Sequence, residues 1–291
     1  MQMFKNLACV VLAVGLFGGP ALAQDVKQIT FGAKRDVDPA VSPNGKCLVF
    51  SSNRTGGFNL FMVTFDQAGE SQLTQGKKDD RNPNWSADNK KILFCSKRTG
   101  NNDLYETSVD GASGFLQVTD REDIEVFPSF TPSGSGLLFS RAPKKAVQFT
   151  KNMSVVLLDP RGPSGNSRVL AEGEAPRYAP DGKKIVFVSD RTKNKDIWVM
   201  NPDGTQQKQL TTAPKDDADP CFSPDGKKIV FASDRTGQFD LWVMDADGTN
   251  QRQISSDPAD ETQPFWSVGG YLYFTRDLGE SKSNIFRVKA P

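Results

Sequence analysis

Between Asp219 and Ser255 apolar and polar residues alternate in four short runs, each bounded by turn residues. Cys221-Phe222-Ser223 follows Pro220, and Pro224-Asp225-Gly226 leads into Lys228-Ile229-Val230-Phe231. Asp234-Arg235-Thr236-Gly237 then leads into Leu241-Trp242-Val243-Met244, and Asp247-Gly248 into Gln253-Ile254-Ser255. Strand-length runs of period two joined by Asp-Gly predict hairpins, because both central turn residues tolerate positive φ. The stretch therefore reads as a four-stranded antiparallel meander.

The same unit recurs along the chain, opened each time by a proline: Pro39, Pro83, Pro128, Pro176, Pro220 and Pro264, at steps of 44 to 48 residues. Two positions after each comes a bulky or apolar residue (Val41, Trp85, Phe130, Tyr178, Phe222, Trp266). The second run carries a phenylalanine at 50, 94, 139, 187, 231 and 274. Four strands repeated every 40–50 residues or so mark β-propeller blades. We expect an all-β, six-bladed propeller of four-stranded antiparallel blades.

Fourth runs close most copies, as in Gln72-Leu73-Thr74, Gln117-Val118-Thr119 and Gln209-Leu210-Thr211; blade three offers Arg168-Val169-Leu170. Blade six has no fourth run after Phe286-Arg287-Val288, whereas Gln28-Ile29-Thr30 precedes blade one without a blade of its own. The N-terminal strand is therefore expected to complete blade six, closing the ring and removing an exposed edge.

These repeats, best matched in Ala175–Thr211 and Asp219–Ser255 and well matched in Asp38–Thr74 and Asn82–Thr119, resemble the blades of the TolB propeller family. The resemblance covers nearly the whole chain after residue 23. It implies the propeller fold. As to function, similar propellers serve as binding platforms, as gating domains of peptidases and as lyases, and the family's name-giving member is a periplasmic component of the Tol–Pal envelope system that binds a peptidoglycan-associated lipoprotein. The family's name-giving member carries an α/β domain ahead of its propeller; here only Gln24–Phe31 is expected between a leader and blade one, so contacts made by that domain do not carry over. WD-type repeats are the nearest confusion, but the chain lacks both histidine and a Trp-Asp pair.

The first residues add a destination. Lys5, an apolar run from Leu7 to Phe17 and Ala21-Leu22-Ala23 form a signal-peptide pattern, with cleavage after Ala23 and a propeller over residues 24–291. The apolar run is too short for a transmembrane segment. A periplasmic or secreted monomer is the expectation. Removing Lys5, the one charge before Gln24, takes the formal charge from +1 to zero, so nucleic acid is not an expected partner. Cys47, Cys95 and Cys221 then remain, an odd number in three blades; they read as small buried hydrophobes, or as one disulfide plus a thiol.

An antiparallel meander places the first and third turns of every blade on one face, and the second turns and blade connections on the other. Asp245-Ala246-Asp247-Gly248, on the first face, reads as a hairpin and not a calcium loop, since the distal Glu is missing. On the other face, three positions before the blade proline, stand Asp36, Asp80, Glu125, Gly173, Asp217 and Glu261. The five acids are expected to ring one mouth of the channel. They would hold a cation or dock a basic partner, or else sit as solvated acids pairing with Lys and Arg.

Arg54, Arg98, Arg191 and Arg235 recur in the second turns, with Asn59, Asp103, Asp196 and Asp240 opening the third strands, which reads as a structural clamp. Where the repeat fails, recognition is sought: in the longer, basic loop of blade three with Lys144, Lys145 and Phe149, and at Arg177, where other blades carry small or apolar residues. Without histidine, His-based triads, His general bases and the usual zinc sites are excluded, and no G-x-S-x-G elbow is present. No cofactor is expected beyond that cation. The favoured reading is a non-catalytic protein-binding platform; the alternative is a carbohydrate-active hydrolase or lyase using acids at the channel mouth.

Overall fold

The computed structural model describes residues 25–67, 69–111, 113–144, 153–159 and 166–291. The leader pattern of residues 1–23 therefore lies outside the described residues. Twenty-four strands form six separate four-stranded antiparallel sheets, the blades of a propeller. The innermost strands are Asp36–Val41, Asp80–Trp85, Ile124–Phe130, Glu174–Tyr178, Asp217–Phe222 and Glu261–Trp266. Five blades end on outer strands of their own: Glu70–Gln72, Phe115–Gln117, Asn166–Glu172, Lys208–Gln209 and Arg252–Gln253. In the sixth, Lys27–Gln28 pairs antiparallel with Ser283–Lys289, so the N-terminal strand closes the ring as the repeat count requires. Among the described residues no helix is long and apolar enough to cross a membrane.

The core lies between blades. Ala40, Val49 and Leu60 of blade one pack on Trp85, Ile92, Phe94 and Tyr105 of blade two. Val41, Leu48, Phe50 and Phe61 pack on Tyr273 and Ile285 of blade six. All six repeated phenylalanines are fully buried, each contributing about 2 kcal/mol relative to exposure. The indole N–H of Trp85 donates to the Ala40 carbonyl at 3.0 Å, tying blades one and two together. Cys47, Cys95 and Cys221 are free thiols, and burial pushes Cys95 up to about 12, which keeps it unreactive.

Candidate functional site: the central channel and its two mouths

The ladder between innermost and second strands slips once in every blade, always at the same place. Asp38 and Pro39 together face the single residue Phe50, and this two-against-one bulge recurs at each blade proline opposite its phenylalanine. The residue before the proline takes a left-handed backbone each time: φ is 57° at Asp38, 52° at Asn82, 53° at Phe127, 49° at Ala175, 52° at Asp219 and 55° at Gln263. Such a conformation costs a non-glycine residue about 1–2 kcal/mol, while the proline, having no N–H, leaves no orphaned donor in the bulge. The consequence is functional, because bulges re-aim side chains. All six residues line the neck of the central channel, a void of about 40 Å³.

Hydrogen bonds pinch that neck. The Asp38 carboxylate accepts from Arg81 Nε at 3.1 Å, Asn82 Nδ2 at 3.1 Å and Gln263 Nε2 at 2.6 Å. The Gln263 backbone N–H donates to Asp219 Oδ2 at 3.1 Å. The charge of Asp38 raises the pKa of Arg81, keeping it a cation. Asp219 is supplied with fewer donors, and confinement pushes it up to about 6, with Glu174 and Asp38 adding to the rise and Arg177 opposing it.

Beyond the neck, on the face of the second turns, the channel opens into a funnel of about 460 Å³. Phe127, Met153 and Phe239 supply apolar wall, and charged pairs alternate between them. Lys97 Nζ lies 3.3 Å from Asp79, and Lys195 Nζ 2.5 Å from Glu174. The Arg81 guanidinium, besides holding Asp38, sits 4.4 Å from the centre of the Phe58 ring.

The five acids expected around this mouth stand elsewhere. Asp36, Asp80, Glu125, Asp217 and Glu261 are at most 2% exposed and lie inside the blades, not in the funnel. Arg54 donates to both oxygens of Asp36 at 2.8 and 2.9 Å, Arg98 to Asp80 at 3.1 and 3.0 Å, and Arg235 to Asp217 at 2.9 Å twice. Arg276 Nη2 holds Glu261 at 2.5 Å. The clamp arginine is therefore real, but its partner is the acid of the first strand. The third-strand residues bond instead to the threonine of the turn, as Asp103 to Thr99 at 3.0 Å and Asp240 to Thr236 at 2.5 Å. Among the described residues no three metal-ligating side chains converge.

Blade four has Gly173 in place of the acid, because nothing larger fits. A Cβ there would stand 2.3 Å from the Val188 carbonyl oxygen. Arg191 accordingly donates to the Glu172 carbonyl at 2.7 Å. In blade three the acid remains and Arg141 stands opposite it, as Arg276 stands opposite Glu261, but makes no ion pair with it; burial pushes Glu125 up to about 7, with Thr119, Arg121 and Arg141 opposing the rise. Arg141 reaches Asp123 instead, at 3.7 Å. Of the other recognition candidates, Lys144 is exposed at the end of the blade-three hairpin, while Lys145 and Phe149 lie outside the described residues.

Arg177 faces the opposite mouth. It stands where the neck widens into an aromatic-walled cup of about 390 Å³ on the face of the first turns. Its guanidinium lies 5.9 Å from the centre of the Phe265 ring. The bulge residues escaped the sequence reading, although a signal was present. The position before each blade proline reads Asp, Asn, Phe, Ala, Asp, Gln, varying where its neighbours repeat.

This geometry is shared with known proteins. The chain superposes on TolB from Acinetobacter baumannii with a TM-score of 0.69 at 20% identity, covering 80% of this chain and 57% of that one. It thus spans little more than half of that protein. A TolB candidate from Agrobacterium tumefaciens gives 0.70 at 19% identity over 91% and 97% of the two chains. An oligogalacturonate lyase from Vibrio parahaemolyticus gives 0.61 at 14% identity over 94% and 92%. At such identities the likeness concerns the fold alone. No curated protein sequence matches the chain. The model of the TolB β-propeller domain matches residues 23–173 and again 164–290, so that every blade is accounted for. The chain belongs to the TolB β-propeller family.

Proposed function

We propose that this propeller is exported and works without catalysis as a protein-binding platform in the cell envelope, receiving its partner in the funnel. The funnel itself carries the proposal: an open, rigid concavity of about 460 Å³ with apolar patches between charges that are already paired. Such a surface suits a polypeptide segment, which brings apolar anchors and complementary charges. A peptidoglycan-associated lipoprotein is the partner to which the family resemblance points.

The enzymatic reading has one observation in its favour, the presence of Asp38 and Asp219 in the same neck. Its narrowness supports the platform reading: the neck, about 40 Å³, is a tight place for a sugar ring between the two carboxyls. Asp219 reaches the funnel, whereas Asp38 is engaged by Arg81, Asn82 and Gln263.

The test is a pull-down from envelope extract with the protein beginning at Gln24, comparing wild type with a Lys97→Glu, Phe239→Ala variant of unchanged melting temperature. Capture of an envelope protein by wild type and its loss in the variant is the expected result. Equal capture by both would refute the funnel as the docking site. Turnover of an acidic polysaccharide by wild type, abolished in Asp219→Asn, would replace the platform with an enzyme.

A further inference from the structure

The cup on the face of the first turns is separate from the funnel, and its chemistry differs. Trp85, Phe130, Tyr178, Phe222 and Trp266 line it from five blades, each from the position two after its proline; Phe130 and Tyr178 are half-buried, while Trp85, Phe222 and Trp266 are buried between blades and show it only an edge. The funnel is ringed by paired charges, whereas the cup has one cation, Arg177, at the point where it narrows into the neck. The corresponding positions are Ala40, Asn84, Ser129, Cys221 and Phe265, so this cation has no counterpart by symmetry. The second-turn arginines Arg54, Arg98 and Arg235 each hold a buried carboxylate, but Arg177 makes no ion pair among the described residues. The Phe265 ring orients the guanidinium without consuming its N–H donors, and Asp219 in the neck feels its charge without forming an ion pair with it.

A half-buried guanidinium left with free donors at the base of an aromatic cup matches a monoanion carried on a flat apolar body. The planar fork pairs two-for-two with a carboxylate. A lone arginine, with no lysine among the cup's lining residues, is a poor match for a dianionic phosphate. At about 390 Å³ the cup lies within the range of small-molecule sites, which are mainly apolar with a few fixed polar groups. We propose that the first-turn face binds a small aromatic carboxylate, its carboxylate on Arg177 and its ring against the aromatic walls. The site does not depend on the funnel binding a protein.

The probe is 2-naphthoate, titrated calorimetrically into the protein beginning at Gln24, with 2-naphthalenemethanol as the uncharged counterpart. Wild type is expected to bind the acid about tenfold or more tightly than the alcohol, from charge-assisted hydrogen bonds alone. In Arg177→Gln the ratio falls towards one while the alcohol still binds, and in Lys97→Glu, altered only in the funnel, it is unchanged. No binding of naphthoate at millimolar concentration, equal affinities in wild type, or a ratio unmoved in Arg177→Gln each overturns the proposal. Should Arg177→Gln not fold, the wild-type protein supplies a second reading. Phenylglyoxal modification of the Arg177 peptide, followed by mass spectrometry, is expected to slow about fivefold or more with saturating naphthoate; an unprotected arginine refutes the site.

Discussion

Glu125 shows how a single residue records a broken repeat. Its four acidic counterparts are neutralised by arginines, yet Glu125 is 0% exposed and is held by no arginine. Burial raises its pKa from 4.5 to about 7, so the folded protein binds a proton there that the unfolded chain releases. Stability from this group is complete below about pH 4.5 and is lost as pH rises through 7, a loss of about 3 kcal/mol. Glu125→Gln removes the titration. We expect the variant to match wild type at pH 5 and to exceed it at pH 8 in urea melts; Asp219, titrating near 6 in both proteins, cancels in the comparison. A variant equally or less stable at pH 8 would show that the carboxylate is solvated. None of this was legible beforehand, for a physical reason. Counting a strand by twos places Asp36 and Asp38 on one face, but the bulge at Asp38 and Pro39 interrupts the alternation. It sends Asp38 to the channel and leaves Asp36 within the blade.

At the scale of the blade, the acid and arginine form a strut from the innermost strand to the second turn. Arg235 joins Asp217, stacks 4.3 Å from the Trp242 ring centre and donates to Gln251 at 3.0 Å, so one side chain spans the blade. Arg54 does the same with Asp36, Phe61 and the outer-strand Glu70. Removing only the cation leaves a carboxylate of 0% exposure without compensation. Arg235→Met is therefore expected to cost about 3 kcal/mol or more in chemical denaturation. Asp217→Asn combined with Arg235→Met should recover part of that loss. If the double variant is as unstable as the sum of the single ones, the strut is packing and not electrostatics. The blades themselves were legible because proline, phenylalanine and Asp-Gly recur at fixed offsets that backbone geometry demands. The strut's true partner was hidden, since Asp217 and Asp240 are equally acidic and only the ladder shows which one Arg235 meets.

For the whole molecule, one short strand decides whether six blades form a ring. Lys27 and Gln28 pair with Arg287 and Phe286, and the Ile29 N–H donates to the Ile285 carbonyl at 2.8 Å. Thr30 then accepts from the Ile285 N–H at 3.0 Å through its hydroxyl, as Thr74, Thr119, Thr211 and Ser255 accept from Leu60, Leu104, Ile197 and Leu241 in their own blades. The closing strand thus reproduces the fourth strand of a blade across some 250 residues of sequence, as the stranded Gln28-Ile29-Thr30 required. Without it the edge of Ser283–Lys289 would present unpaired N–H and C=O groups, a template for another chain. A protein beginning at Gly32 is accordingly expected to unfold at lower urea and to self-associate with rising concentration in size-exclusion chromatography. Adding a peptide of residues 24–31 in trans should reverse both effects, because the groove it fills is already shaped by blades one and six. An unaltered melting curve and a monomer at every concentration would mean that the ring is held by inter-blade packing alone, as between Phe50 and Ile285, and that the closing strand adds nothing.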